Sequence, residues 1–443
     1  MRRSRRLVAA ACAAATVLLA GCSGTGEPSV PDDPDVVRIG LLSSLSEPYA
    51  ALGEAANRGA KLALLEAGGT LVGDGPLDAV RGARVAGKPV QLFVEGSDPA
   101  SPDVAVSAAR RLVELRGVDV IVGPTSGDEG LAVKNYVAGV PDVTLVSGMS
   151  AAQNLTLRDP EPNVFRFSGD GAQWMAGLGA YAAQRYDRVV TVAEIDSYPY
   201  DQVGGFLTEY CGPERSVVKR LWIPRGATDF AAYVDQVPAD VDAVFLALDG
   251  EAAVGFIREL DAQTDADLPI LAGSLTFDAA AIEELGDRLE GTVSAGPVAP
   301  LPADRPYRDY VENMRAHYPK SPPPGVADVL YYVAMKATLE AAEAADGDVT
   351  GDQREFRAAL SSLAMETPQG PVRLDANRQV IADNYLLQVR DGGVALLREV
   401  PAVTQSLGRD PVEYAAQPAF DRSNPVCRTT TAAARTTTSE EPR

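Results

Sequence analysis

From residue 36 onward the chain alternates two kinds of apolar pattern. Short runs rich in branched aliphatic residues, the first over 36–44, are followed by stretches in which apolar positions recur every three or four residues, as at Ala55, Ala56, Gly59, Ala60, Ala63 and Leu64. The first pattern is that of a strand buried on both faces, the second that of an amphipathic helix. The pair recurs as 89–95 then 102–115, and as 118–123 then 131–137, before a further strand over 143–147. A second series begins with a helix over 172–183. It continues through strands at 189–194, 217–222, 241–248 and 270–272, with helices at 202–210, 230–237 and 252–260 between them. A helix over 278–289 and a strand near 292–295 lead into a mostly helical stretch (307–318, 326–344, 353–364), and strands at 372–374 and 384–389 close the pattern. Strands joined by crossover helices make a parallel sheet covered on both faces, so the fold class is α/β. Two such series predict two doubly wound lobes.

The ends of the chain read differently. Arg2, Arg3, Arg5 and Arg6 precede an apolar run over 7–20 that is too short to span a bilayer, the order of a secretory signal over 1–21. The run ends in Leu19-Ala20-Gly21-Cys22, which looks like the lipobox of bacterial lipoproteins, with Cys22 as the lipidated residue. Residues 22–35 are small, acidic and proline-rich, as a flexible spacer between lipid and fold is expected to be. From 404 to 443 periodicity fades, and a polar, mostly disordered tail is expected.

Composition narrows the function. Forty basic against 61 acidic residues give a formal charge of −21, which leaves no basic field for nucleic acid. The single histidine, His317, removes histidine clusters as metal sites, and no metal or cofactor is expected. Ser216 and Lys219 have the Ser-x-x-Lys spacing of penicillin-recognising enzymes without the companion motifs, and Gly177 to Ala182 approximates a dinucleotide fingerprint inside a helical pattern. Neither carries chemistry, and a non-enzymatic protein is expected.

Five strings carry a family resemblance. They are IGLLSSLSEPYAALGEAANRGAKLALLEAGG from Ile39, SDPASPDVAVSAARRLVELRGVDVIVGPTSG from Ser97, VTLVSGMSAAQNLT from Val143, TDFAAYVDQV from Thr228 and PQGPVRLDANR from Pro368. In this order the sequence resembles the type I periplasmic binding proteins, in particular the Leu/Ile/Val-binding branch that serves ABC importers. The resemblance implies two lobes joined by three crossovers, placed near Phe167, Pro297 and Pro368. Lobe I would then comprise 36–167 and 298–367, and lobe II 168–297 and 368–403.

In open parallel sheets, ligands bind beyond the carboxyl ends of the strands, where helix N-termini present N–H groups. Three loops fit: one with Ser46 and Tyr49, one with Thr125, Ser126 and Gly127, and one with Ser147, Ser150 and Ala151. Hydroxyl residues and glycine let a carboxylate approach the main chain closely. The resemblance gives Ser126, and Ser150 with Ala151, the roles of holding an α-carboxylate and an α-ammonium, and makes Tyr200, with Tyr198 beside it, the aromatic lid. Asp249, at the end of an apolar strand, is a candidate counter-ion for an ammonium or a helix cap. The family's ammonium-binding acid falls on Leu275 and a hydroxyl position on Ala151, so an amino acid, an amide and a small carboxylate all stay open as ligands.

The expected protein is a monomeric lipoprotein on the outer face of the cell membrane. It captures a small polar metabolite between its lobes and delivers it to ABC permease subunits. A solute sensor or envelope scaffold of the same fold without a permease is the alternative. Cys211 and Cys427, the thiols that remain after export, are expected to pair in an oxidising compartment.

Overall fold

The computed structural model describes residues 34–264, 268–301 and 304–427. The signal over 1–21, Cys22, most of the spacer and the last part of the tail lie outside the described residues. No helix among the described residues is long and apolar enough to cross a membrane.

Two sheets organise the chain. The first runs in the order Arg84–Val85, Lys88–Ser97, Val37–Ser44, Val120–Val122, Thr144–Ser147, Val164–Arg166. All of its pairings are parallel except the short first one. Val37–Ser44 sits mid-sheet, with Ile39 opposite both Leu92 and Val120, and this explains why all of it but Arg38 is buried. The second sheet begins as a parallel set, Ser216–Ile223, Arg188–Glu194, Ala243–Ala247, Ile270–Ala272 and Val293–Gly296. It then turns antiparallel through Val380–Arg390, Gly370–Leu374 and Ala364–Thr367, with Gly393–Val403 paired to Val380–Arg390. The protein is thus α/β with two lobes, and the second lobe has a mixed sheet.

The chain passes between the sheets after Val164–Arg166, between Gly296 and Arg305, and before Ala364. The third crossing falls a few residues ahead of the position expected at Pro368. Ala364–Thr367, read from the sequence as a helix end and then lobe I, is instead bonded across a turn to Gly370–Leu374. In the returning segment, helix Val326–Ala344 packs along helix Ala50–Glu66. The two backbones meet at Gly59, where a Cβ would stand 1.9 Å from the Asp328 carbonyl, so only glycine fits. Next to it Arg58 bonds Asp328 through two nitrogens, at 2.9 and 3.2 Å, with both side chains nearly sealed from water.

Two further expectations are corrected. The helix expected over 172–183 is broken: Gln173–Met175 is a 3-10 turn, and helix Leu178–Ala183 starts only after Gly177. Gly177 has φ +87°, and its N–H donates to Glu209 Oε2 at 2.8 Å. The tail expected to be mostly disordered from 404 is folded as far as 427. Helix Pro411–Ala416 is N-capped by Asp410, Tyr414 is 2% exposed, and Cys427 is bonded to Cys211. Polar composition hid this because much of the segment is held by hydrogen bonds and one covalent link.

Candidate functional site

On the lobe I side, helix Gly127–Val137 begins directly after the strand Val120–Val122 and its loop. Ser126 is its N-cap: its Oγ accepts the Glu129 N–H at 3.3 Å, and the Ser126 N–H donates to Glu129 Oε2 at 2.7 Å. The box satisfies the Ser126 and Glu129 amides at the helix start, where Ser126 and Gly127 lie on the wall of the cavity between the lobes. Burial pushes the Glu129 carboxyl up, and its bond from the Ser126 N–H opposes that. Thr125 Oγ1 lies 3.2 Å from the Tyr331 hydroxyl, which itself donates to the Leu42 carbonyl at 2.9 Å. The third loop is fastened from behind. Ser150 Oγ donates to the Ser126 carbonyl at 2.5 Å, Ser147 Oγ donates to the Ser150 carbonyl, and Arg166 donates to the Ser150 and Ala152 carbonyls.

The lobe II side is more strongly charged. Asp196 caps helix Ser197–Tyr210 by accepting the Tyr198 N–H and is ion-paired to Arg225 at 2.9 Å. Arg225 also reaches across to the Pro99 carbonyl at 3.0 Å, and its guanidinium lies 6.0 Å from the Tyr49 ring centre. Asp249 stands at the N-cap of helix Gly250–Gln263 but makes no side-chain cap bond. Glu194 is 4% exposed, and its Oε2 has no hydrogen-bond partner among the described residues. Burial pushes Glu194 up to about 8, helped by the neighbouring Asp249 carboxylate and opposed by Arg225. Burial likewise lifts Asp196 to about 6 against the pull of Arg225, and raises Asp249.

Between these walls lies a cavity of about 50 Å³, lined by Tyr49, Leu52, Pro99, Thr125, Ser126, Gly127, Met149, Ala151, Trp174, Asp196, Tyr198, Arg225, Asp249 and Leu275. The lobes stand closed over it: a Cβ on Gly127 would come within 2.5 Å of Ser197 Oγ from the opposite wall. The arrangement offers N–H and hydroxyl donors on one side and a carboxylate-rich wall with one guanidinium on the other. Leu52, Met149, Trp174 and Leu275 add apolar surface for the body of a small molecule.

Of the residues singled out from sequence, Tyr49, Thr125, Ser126, Gly127, Ala151 and Asp249 line the cavity. Ser46 is not among them: it is exposed on the first loop, and its carbonyl accepts the Tyr49 N–H. Ser147 and Ser150 are buried behind the lining, where their hydroxyls are spent on main-chain carbonyls. Tyr200, expected as the lid, does not line this cavity. Two residues beyond Tyr198 on the helix, it packs edge-on against Trp222 at 5.0 Å and accepts a bond from Arg422. Tyr198 takes the cavity position, set edge-on to Trp174 at 5.6 Å with its hydroxyl 2.6 Å from Ser274 Oγ. Sequence reasoning also missed Pro99, Trp174, Asp196 and Arg225. Asp196 was readable as the cap of a helix starting at Ser197, whereas Arg225 sits in a loop whose direction no periodicity reveals. Ser216 and Lys219 lie on the strand Ser216–Ile223, and His317 ends helix Arg305–His317.

A family model described as periplasmic binding protein matches residues 36–394. Among solved structures, an ABC transporter solute-binding protein of R. palustris in complex with benzoate superposes with a TM-score of 0.74 at 22% identity, covering 84% of this chain and 98% of that one. An ABC transporter substrate-binding protein from Sphaerobacter thermophilus gives 0.71 at 25% identity over 83% and 98%. A leucine-binding protein from Thermotoga maritima gives 0.70 at 20% over 82% and 99%. Two α/β lobes shut over a cavity lined from both sides, together with a family match over most of the chain, place this protein in the periplasmic binding protein family, whose members bind substrates.

Proposed function

We propose that this chain is the receptor of an ABC importer, anchored outside the cell membrane through Cys22, and that it captures a small metabolite such as an amino acid, an amide or a carboxylate between its lobes. The observation that carries the reading is the cavity that sets the start of the Gly127–Val137 helix opposite Asp249 and Arg225. A carboxylate suits the first wall and an ammonium the second. The solved relatives support both kinds of ligand, since one was crystallised with benzoate and another is a leucine-binding protein. Opening admits the solute, and binding favours the closed form that a permease recognises. Micromolar binding, about 8 kcal/mol, is within reach of a few charge-assisted hydrogen bonds and one aromatic contact.

A thermal-shift screen with amino acids, amides, benzoates and aliphatic carboxylates tests the reading, because a ligand that binds only the native state raises its melting temperature. At least one class is expected to shift it. For the compound that does, Tyr198→Ala and Ser126→Ala are each expected to weaken binding about tenfold or more, whereas Tyr200→Ala leaves the affinity unchanged. Titration calorimetry in which Tyr200→Ala weakens binding and Tyr198→Ala does not would reverse the assignment of the lid.

A further inference from the structure

Residues 404–427 begin at the end of strand Gly393–Val403 in the second sheet and finish at Cys427, bonded to Cys211 at the end of helix Ser197–Tyr210. Both ends of this segment therefore belong to lobe II. Its middle is held by lobe I. Arg158 donates to the Ala415 carbonyl at 3.1 Å and to the Gln417 carbonyl at 2.7 Å, and the Tyr414 hydroxyl accepts Gln153 Nε2 at 2.9 Å. Arg158 and Gln153 move with lobe I, because Lys134 of helix Gly127–Val137 donates to the carbonyls of Asn154 and Arg158 on either side. Beyond the middle, the segment returns to lobe II. Phe420 covers Gly204, Trp222 Nε1 donates to the Arg422 carbonyl at 3.1 Å, and Arg220 bonds the Pro425 carbonyl.

We infer that residues 404–427 form a strap across the seam between helices Gly127–Val137 and Ser197–Tyr210, and that it holds the lobes closed in the absence of ligand. The reason is geometric. A segment fixed at both ends to one lobe and in the middle to the other resists separation until the middle bonds break or one end peels away. The disulfide prevents peeling at the far end. The same seam contains the direct bonds that opening must break, Gln153 N–H to Asp201 Oδ2 at 2.6 Å and Gly171 N–H to the Ala151 carbonyl at 2.9 Å. The strap thus biases the closed side of the equilibrium and sets how far the cleft opens. It rests on the hinge motion proposed above, but its test needs no ligand, so its failure and a failure to find a solute are separate outcomes.

The experiment is amide hydrogen exchange, with small-angle scattering alongside, on ligand-free oxidised protein, on Arg158→Ala, on Arg158→Ala/Tyr414→Phe and on Cys211→Ser/Cys427→Ser. Wild type is expected to protect the Gln153 and Gly171 amides and to scatter as the closed form. Each variant is expected to exchange those two amides about tenfold faster, without a matching change in the buried strand Val120–Val122, and to expand in scattering. Arg158 is partly exposed, so its single substitution keeps the test valid if a double variant folds poorly. Equal exchange at Gln153 and Gly171 in wild type and Arg158→Ala, or an open wild type, overturns the proposal.

Discussion

Replacing Arg166 with methionine is expected to lower the folding free energy by about 3–5 kcal/mol, the usual cost of removing one partner from a buried ion pair. Arg166 is fully buried, and its donors reach three separate segments of the chain. Nε bonds Gln379 Oε1 at 2.6 Å, Nη1 bonds the Ala152 carbonyl at 2.6 Å, and Nη2 bonds Thr156 Oγ1 at 2.9 Å and Asp170 Oδ2 at 3.4 Å. Burial lowers the guanidinium to about 10, so it stays protonated at neutral pH, with Asp170, Asp201 and Asp375 sustaining the charge. Without it Asp170 keeps Gln405 Nε2 and the Gln173 N–H but loses its counter-charge at zero exposure. Lysine at this position is also expected to destabilise, because a single ammonium cannot reach carbonyls on one side and Gln379 on the other. Urea denaturation checks the value, and a loss under 1 kcal/mol would show that the network repacks around the gap.

The second large effect is in pH. Glu194 titrates near the ordinary carboxyl value in the unfolded chain and near 8 in the fold. Between those limits the native protein holds a proton that the unfolded chain has released, so stability falls as pH rises from about 5 to 8 and returns on acidification, at up to about 1.4 kcal/mol per pH unit for one group. Asp196, lifted to about 6, adds to the same slope over the lower part of the window. Burial is the main cause of the rise of Glu194; of the charged groups beside it, Asp249 and Asp196 add to the rise and Arg225 opposes it. Glu194→Gln is expected to flatten the dependence and to make the protein more stable than wild type at pH 8. Denaturation at pH 5, 6.5 and 8 measures it, and parallel profiles for the two proteins would refute the account.

Much of the fold was legible because burial on both faces of a parallel sheet leaves strands rich in apolar residues, such as Val37–Ser44 and the fully apolar Ala243–Ala247. The strand Gly393–Val403 was not legible: it is mostly exposed, contains Pro401, and pairs only with Val380–Arg390. The site was legible on the lobe I side, where a strand, a short hydroxyl-rich loop and a helix start are local features of the chain. On the lobe II side, Tyr198 lines the cavity where Tyr200 was expected. Tyr198 and Tyr200 differ in sequence environment by almost nothing, and the turn of the helix alone sends one ring to Trp174 and the other to Trp222.

By itself the sequence determined the α/β class, the two series of strands, the loops that carry the donors and the two thiols that pair, since periodicity, turn chemistry and cysteine number are local properties. Only the tertiary structure decided which face each loop turns inward, that Arg225 crosses to Pro99, and that a polar tail becomes a strap between lobes. Those depend on bonds between residues far apart in the chain, such as Arg158 and Gln417, and no local pattern encodes which distant partner a polar side chain will meet.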